Sequence, residues 1–199
     1  MWQTGGAWLA TLIWDHYQFT GDTAFLQQYY PALKGAAQFF LDTLVSEPSL
    51  GYLVTNPSNS PELPHHSGVS VCAGPTMDNQ ILRDLFNACA QASQVLGTDT
   101  DFRSRVLAAR DRLAPMKVGS RGNIQEWLYD WVETEPNHRH ISHLYGLHPS
   151  NQITRRGTPP CTPPRGAPWN CAATTAPAGP SPGRSTTGRA WRRAPARTP

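Results

Sequence analysis

Residues 22–45, "DTAFLQQYYPALKGAAQFFLDTLV", carry apolar side chains at helical spacing over a run far too long for a strand. Segment 6–19, "GAWLATLIWDHYQF", does the same through Trp8, Leu12 and Ile13, and "TGD" at 20–22 interrupts the pattern. Two helices joined by so short a turn lie antiparallel, which makes an αα-hairpin. A second pair follows. "GPTMDNQILRDLFNACAQASQVLG" (74–97) opens on Pro75 and Thr76 as a first-turn or cap pair and stops at Gly97. "DTDFRSRVLAARDRLAP" (99–115) starts at a capping Asp or Thr and ends at a proline. Strand signals are weak throughout, so the body is expected to be all-α, with paired helices, long loops on one side and a kink at Pro31.

Residues 46–74 join the hairpins through a stretch rich in Pro, Ser, Asn and Gly. Connections of this length inside a compact domain are uncommon and often functional. This one contains "NPSNSPE" (56–62), in which Asn-Pro and Ser-Pro steps precede the acid Glu62. The simplest reading is a surface turn, and the sharper one is a catalytic acid on a stiff loop. Further on, "IQEWLYDW" reads as a short helix that puts Glu126 and Asp130 on one face, and "ISHLYGLHP" (141–149) opens another.

Composition changes abruptly after residue 156. Residues 157–199 contain ten Pro and six Arg but no Leu, Ile, Val, Phe, Tyr or acid, so they cannot bury enough apolar surface to offset chain entropy. The expected division is a helical domain over 1–156 and a disordered Pro/Arg-rich tail over 157–199. The formal net charge of +3 comes from that tail, because residues 1–156 hold 11 basic against 14 acidic side chains. Basic charge with little aromatic interleaving beyond Trp191 supports no more than nonspecific nucleic-acid contact, so no nucleic-acid partner is expected. No run of about 20 apolar residues suggests a membrane span. The start lacks the basic region and cleavage site of a signal peptide, which leaves localisation open. The four cysteines form no zinc spacing and imply no disulfide framework.

Three clusters combine carboxylates, amides, histidines and tryptophans: residues 56–62, 74–86 and 125–149. Aromatic faces that stack on a sugar ring, with planar polar groups for its hydroxyls, suit a carbohydrate site. His138, His140 and His143 make an H-x-H-x-x-H pattern, but no carboxylate spacing completes a metal site, so no metal or other cofactor is expected.

The motifs "WQTGGAWLATLIWDHYQFTGD", "YPALKGAAQFFLD", "NPSNSPE", "GPTMDNQILRDLF", "QEWLYDW", "HRHISHLYGLHP" and "NQIT" occur in the order found in glycoside hydrolase family 95, the inverting 1,2-α-L-fucosidases, which the body closely resembles. The resemblance implies an (α/α)6 toroid of helical hairpins with its loops gathered at one end, of which this chain is a part. It implies a fucosylated oligosaccharide or glycan as substrate, with L-galactosyl as the related alternative. It also implies a glutamic acid that protonates the leaving oxygen and an asparagine, polarised by an aspartate, that activates water. Carried over by motif, Glu62 is the general acid, Arg139 and His140 contact substrate, and Trp2 forms an aromatic wall. Pro57 and Pro61 stiffen the loop, and lower solvation suits Glu62 to acid work.

Asp78 is a rival acid or sugar contact, with helix capping or dipole stabilisation as its other role. For Glu126, a sugar contact and a structural hydrogen bond stand level. His143 supports the loop, Trp127 and Trp131 are as suited to core as to sugar, and His65 and His66 read as solvated. The resemblance places the asparagine motif upstream of the region matching Trp2, and helical sequence where the tail stands. A shifted reading frame beginning near Pro159 or Pro160 is therefore expected, since back-translation from Trp169 permits "ELRGDDGTGWSLAWKINYWARLEEG" two bases later. A chain cut at both ends should expose apolar faces such as Trp8, Ile13 and Phe39, and should be inactive alone. Another six-hairpin glycosidase or lyase, and a non-catalytic helical carbohydrate-binding or interaction protein, are the alternatives.

Overall fold

A computed structural model describes residues 2–135 and 137–154. The expected disorder and frame shift of the tail fall outside these residues. Four helices dominate: α1 (Thr4–Thr20), α2 (Thr23–Thr43), α3 (Thr76–Leu96) and α4 (Thr100–Asp111). They pair as α1–α2 and α3–α4, and α3 also packs against α1 and α2. The described residues are thus a helical assembly of two hairpins, and they do not close a barrel.

Sequence spacing explains the packing. α1 buries Thr4, Ala7, Thr11 and Trp14, while α2 buries Leu26, Tyr30, Leu33, Ala37 and Phe40, each a single stripe with steps of three and four. Those stripes close on α3, which buries Ile81, Leu82, Leu85, Phe86 and Cys89 among others and so forms the centre. The turns are set by chemistry. Gly21 ends α1 at φ 70°, and its N–H donates to the Tyr17 carbonyl. Asp22 then caps α2 by accepting from the Phe25 N–H at 2.9 Å. Pro31 does not end α2; it sits on an exposed position, and so does Gln27, whose carbonyl loses its helical donor. Lys34 ties α2 to the start of α4 through Asp99 at 2.7 Å.

The long connection is more ordered than its composition suggests. Two-residue strands β1 (Val45–Ser46) and β2 (Leu53–Val54) pair antiparallel, as do β3 (Ser58–Asn59) and β4 (Val71–Cys72). Gly74, at φ 54°, then brings the chain into α3. A β-carbon there would lie 2.6 Å from Val54 Cγ1, and Val54 is fully buried. Gly74→Ala should therefore destabilise the fold by about 2–5 kcal/mol through overpacking and left-handed strain. The midpoint of urea unfolding measures it.

Two expected helices are absent. Residues 124–131 form no helix and bend at 126–129, and "ISHLYGLHP" yields one 3₁₀ turn, Ser142–Leu144. The reason is where the backbone bonds go. The Glu126 carbonyl accepts the Thr76 N–H at 3.0 Å and the Gln125 carbonyl accepts the Thr76 hydroxyl at 2.6 Å, so this segment holds the start of α3. Glu126, Trp127 and Leu128 are buried in succession, which no one-faced helix allows. Asp130 faces outward instead of sharing a face with Glu126, and accepts from the Ser120 N–H.

Phe39 is half exposed, as expected, but Trp8 and Ile13 pack against the core. The exposed apolar side chains of α1 are Leu9, Leu12 and Phe19, the last 92% exposed. Burial pushes the thiols of Cys72 and Cys89 up to about 12, which makes them poor nucleophiles at neutral pH. Among the described residues no helix is long and apolar enough to cross a membrane.

Candidate active site

Glu62 lies in the connection between β3 and β4, inside a turn over residues 60–63 that the Leu63 N–H closes by donating to the Ser60 carbonyl at 2.9 Å. Leu63 itself is buried with Cys72, Trp127 and Trp131, so the residue after the acid anchors the loop. Motif reading singled out the prolines and passed over this leucine.

The Glu62 carboxylate remains at the surface, where Arg139 Nη2 donates to its Oε2 at 2.6 Å. The two side chains are 63% and 72% exposed. His140 Nδ1 stands 3.8 Å from the same oxygen. Two neighbouring residues, Arg139 and His140, thus reach one carboxylate more than 70 positions away in sequence. The Ser142 hydroxyl donates to the Pro61 carbonyl, which fixes the histidine-rich loop against the residue before the acid. The His140 N–H donates to His138 Nδ1 at 3.1 Å, so His138 shapes that loop's own turn.

Glu126 lies buried beneath, accepting from the Ser60 hydroxyl and paired with His143 Nδ1. Asp78 is fully buried and accepts from four donors: Trp2 Nε1 at 2.8 Å, the Thr4 hydroxyl at 2.7 Å, and the Thr55 and Ser58 hydroxyls at 2.6 Å each. Burial pushes its carboxyl above the usual aspartate range, and the four hydrogen bonds pull it part of the way back. Asp84, one helical turn and a half further along α3, is also raised by burial, against hydrogen bonds from Ser150, Gln152 and Tyr145.

Of the six residues singled out from sequence, Glu62, Arg139 and His140 meet at the surface. Trp2, Asp78 and Glu126 are drawn into the hydrogen-bonding that supports them. His65 is not solvated. It is buried and stacks on Trp131 with centroids 4.3 Å apart, and its Nε2–H donates to the Val71 carbonyl at 3.0 Å, whereas His66 stays exposed. Trp127 is fully buried core. Among the described residues no three His, Cys, Asp or Glu side chains are grouped to hold a metal ion. A groove of about 550 Å³, lined by Gln3, Phe39, Asn56, Asn59 and Val71 among others, opens beside the β3–β4 hairpin and does not include Glu62. Convergence of side chains, and not cavity size, marks the site.

The profile of the glycosyl hydrolase family 95 catalytic domain matches residues 1–163. The chain belongs to that family. It is 41% identical over 165 residues to "Alpha-L-fucosidase 2" of Arabidopsis thaliana, covering 80% of this chain and 20% of the relative. It is 38% identical over 154 residues to "Probable alpha-fucosidase A" of Aspergillus niger, covering 74% of this chain and 19% of the relative. The chain thus spans about a fifth of the length of these relatives. The family 95 match takes in both loops that build the site, from Ser58 to His143.

Proposed function

We propose that the loops 56–62 and 138–143 bind a terminal α-L-fucosyl residue of a glycan, and that Glu62 is the general acid of its inverting hydrolysis. The convergence of Arg139 and His140 on the Glu62 carboxylate carries this reading. In the acid step, protonated Glu62 gives its proton to the glycosidic oxygen as the anomeric carbon–oxygen bond breaks. Water attacks the opposite face of the ring.

At rest Glu62 accepts from Arg139, an arrangement suited to a carboxylate and not to a proton donor. An ion pair this exposed contributes at most about 1 kcal/mol, so a ligand can open it easily. Sugar hydroxyls that accept from Arg139 leave the Glu62 carboxyl free to face the glycosidic oxygen. The ion pair equally favours a second reading, a carbohydrate-binding protein without turnover, because Arg139 keeps the acid occupied. The family resemblance assigns water activation to asparagines outside the matched motifs, so this chain by itself is expected to bind without hydrolysing.

Proton NMR of 2′-fucosyllactose incubated with the chain separates these outcomes. Saturation transfer to the fucosyl methyl with no free L-fucose is the expected result. Release of β-L-fucose that disappears in Glu62→Gln overturns the expected inactivity while supporting the acid. The absence of both transfer and release counts against the whole proposal.

A further inference from the structure

Each of the two buried carboxylates divides its oxygens in the same way. Asp78 Oδ2 takes two hydroxyls of the acid-loop segment, Thr55 and Ser58, while Oδ1 takes Trp2 Nε1 and the Thr4 hydroxyl at the start of α1. Glu126 Oε1 takes Ser60, again on the acid loop, while Oε2 takes His143 on the loop that carries Arg139 and His140. One oxygen of each therefore holds the acid loop, and the other holds a different element of the site. A carboxylate offers about four lone-pair positions. Asp78 has all of them filled, and Glu126 has one donor on each oxygen and is buried, so neither presents an accessible acceptor to a ligand.

We infer that Asp78 and Glu126 are positioning residues that key three separate chain segments, at Trp2, at Glu62 and at Arg139–His140, into one sugar site, without touching the sugar themselves. The loop's spacing fits this role. Hydroxyls at 55, 58 and 60 point inward to the two carboxylates, and the next carboxyl, at 62, points out. Leu63 and the Ser142–Pro61 bond then fix the chain on either side of Glu62. Gln80 extends the arrangement from α3: its amide donates to the His143 carbonyl at 2.9 Å and accepts from the Gly146 N–H at 3.0 Å. Buried polar networks fully satisfied in this way fix one geometry, because any alternative strands a desolvated group. As a statement about a sugar site, the inference rests on the functional reading of Glu62, but its physical content is a coupling within the protein.

The test is NMR on the whole chain, following the Glu62 side-chain carboxyl, the Arg139 guanidinium and the Trp2 indole. Ser60→Ala removes one loop bond and leaves Glu126 with His143. Ser58→Ala does the same at Asp78. Ser60→Ala is expected to shift or broaden the Glu62 and Arg139 signals, and Ser58→Ala the Glu62 and Trp2 signals, with the amides of α1 to α4 unmoved. Glu126→Gln should reproduce the first pattern. If it fails to fold, the two serine variants decide. Folded variants whose Glu62, Arg139 and Trp2 signals coincide with those of the wild type overturn the inference. Adding 2′-fucosyllactose to the wild type reports separately on function. Signals that respond to the serine variants but not to the sugar leave the keying intact and sink the sugar-site reading.

Discussion

Asp78→Ala should bring the chain close to unfolding, with a loss of stability above about 4 kcal/mol. The substitution strands Trp2 Nε1 and the hydroxyls of Thr4, Thr55 and Ser58 around an empty, fully buried position. Each buried donor left without a partner costs about 1–3 kcal/mol, and a domain has only about 5–15 kcal/mol in total. Asp78→Asn keeps the shape and one acceptor oxygen, so its loss should be about half as large. The Asn variant should also alter the pH dependence. Burial raises the Asp78 carboxyl in the folded chain, so the fold holds that proton more tightly than the unfolded chain does. That contribution is complete below the ordinary aspartate range and is lost as pH rises through the raised range. Urea unfolding at several pH values measures both effects, and an alanine variant within 1 kcal/mol of wild type, on the order of a surface substitution, contradicts the account.

Arg139→Ala should leave stability almost untouched and weaken fucoside binding by about tenfold to a hundredfold. The side chain is largely exposed and its ion pair with Glu62 contributes at most about 1 kcal/mol to folding. Charge-assisted hydrogen bonds from a guanidinium to a ligand are each worth about 1.5–3 kcal/mol, which is the source of the expected factor. The contrast with Asp78 is the diagnostic point. On this proposal Asp78 serves the fold and has no lone pair left to bind with, whereas Arg139 is dispensable to the fold and binds the sugar. Calorimetric titration with 2′-fucosyllactose, alongside thermal unfolding of the same variant, separates the two effects. Equal affinity in Arg139→Ala and wild type removes Arg139 from the site.

How much of this could be read from sequence depended on whether the signal was local. The four helices were legible because their stripes are periodic and because Gly21, Asp22 and Gly97 mark their ends by local geometry. The bends at 126–129 were not, because "QEWLYDW" has helical spacing while its first carbonyls serve the start of α3, 49 residues away in the bond from Thr76 to Gln125. His65 looked like a loop histidine because its stacking partner, Trp131, lies far along the chain. Glu62, Arg139 and His140 came from motif resemblance, and no local property of the sequence brings them to one point. Ser58, Ser60 and Leu63 sat in plain view inside and beside "NPSNSPE", yet their roles exist only through Asp78, Glu126 and Trp127.

The central claim is that Glu62, Arg139 and His140 form a fucosyl site. A titration of the isotopically labelled chain with 2′-fucosyllactose, read by NMR at side-chain and backbone signals, tests it most directly. The account predicts that the largest shifts fall on Glu62, Arg139 and His140, with smaller ones at Trp2. Shifts confined to another surface, or none at concentrations that saturate an ordinary sugar-binding protein, contradict it.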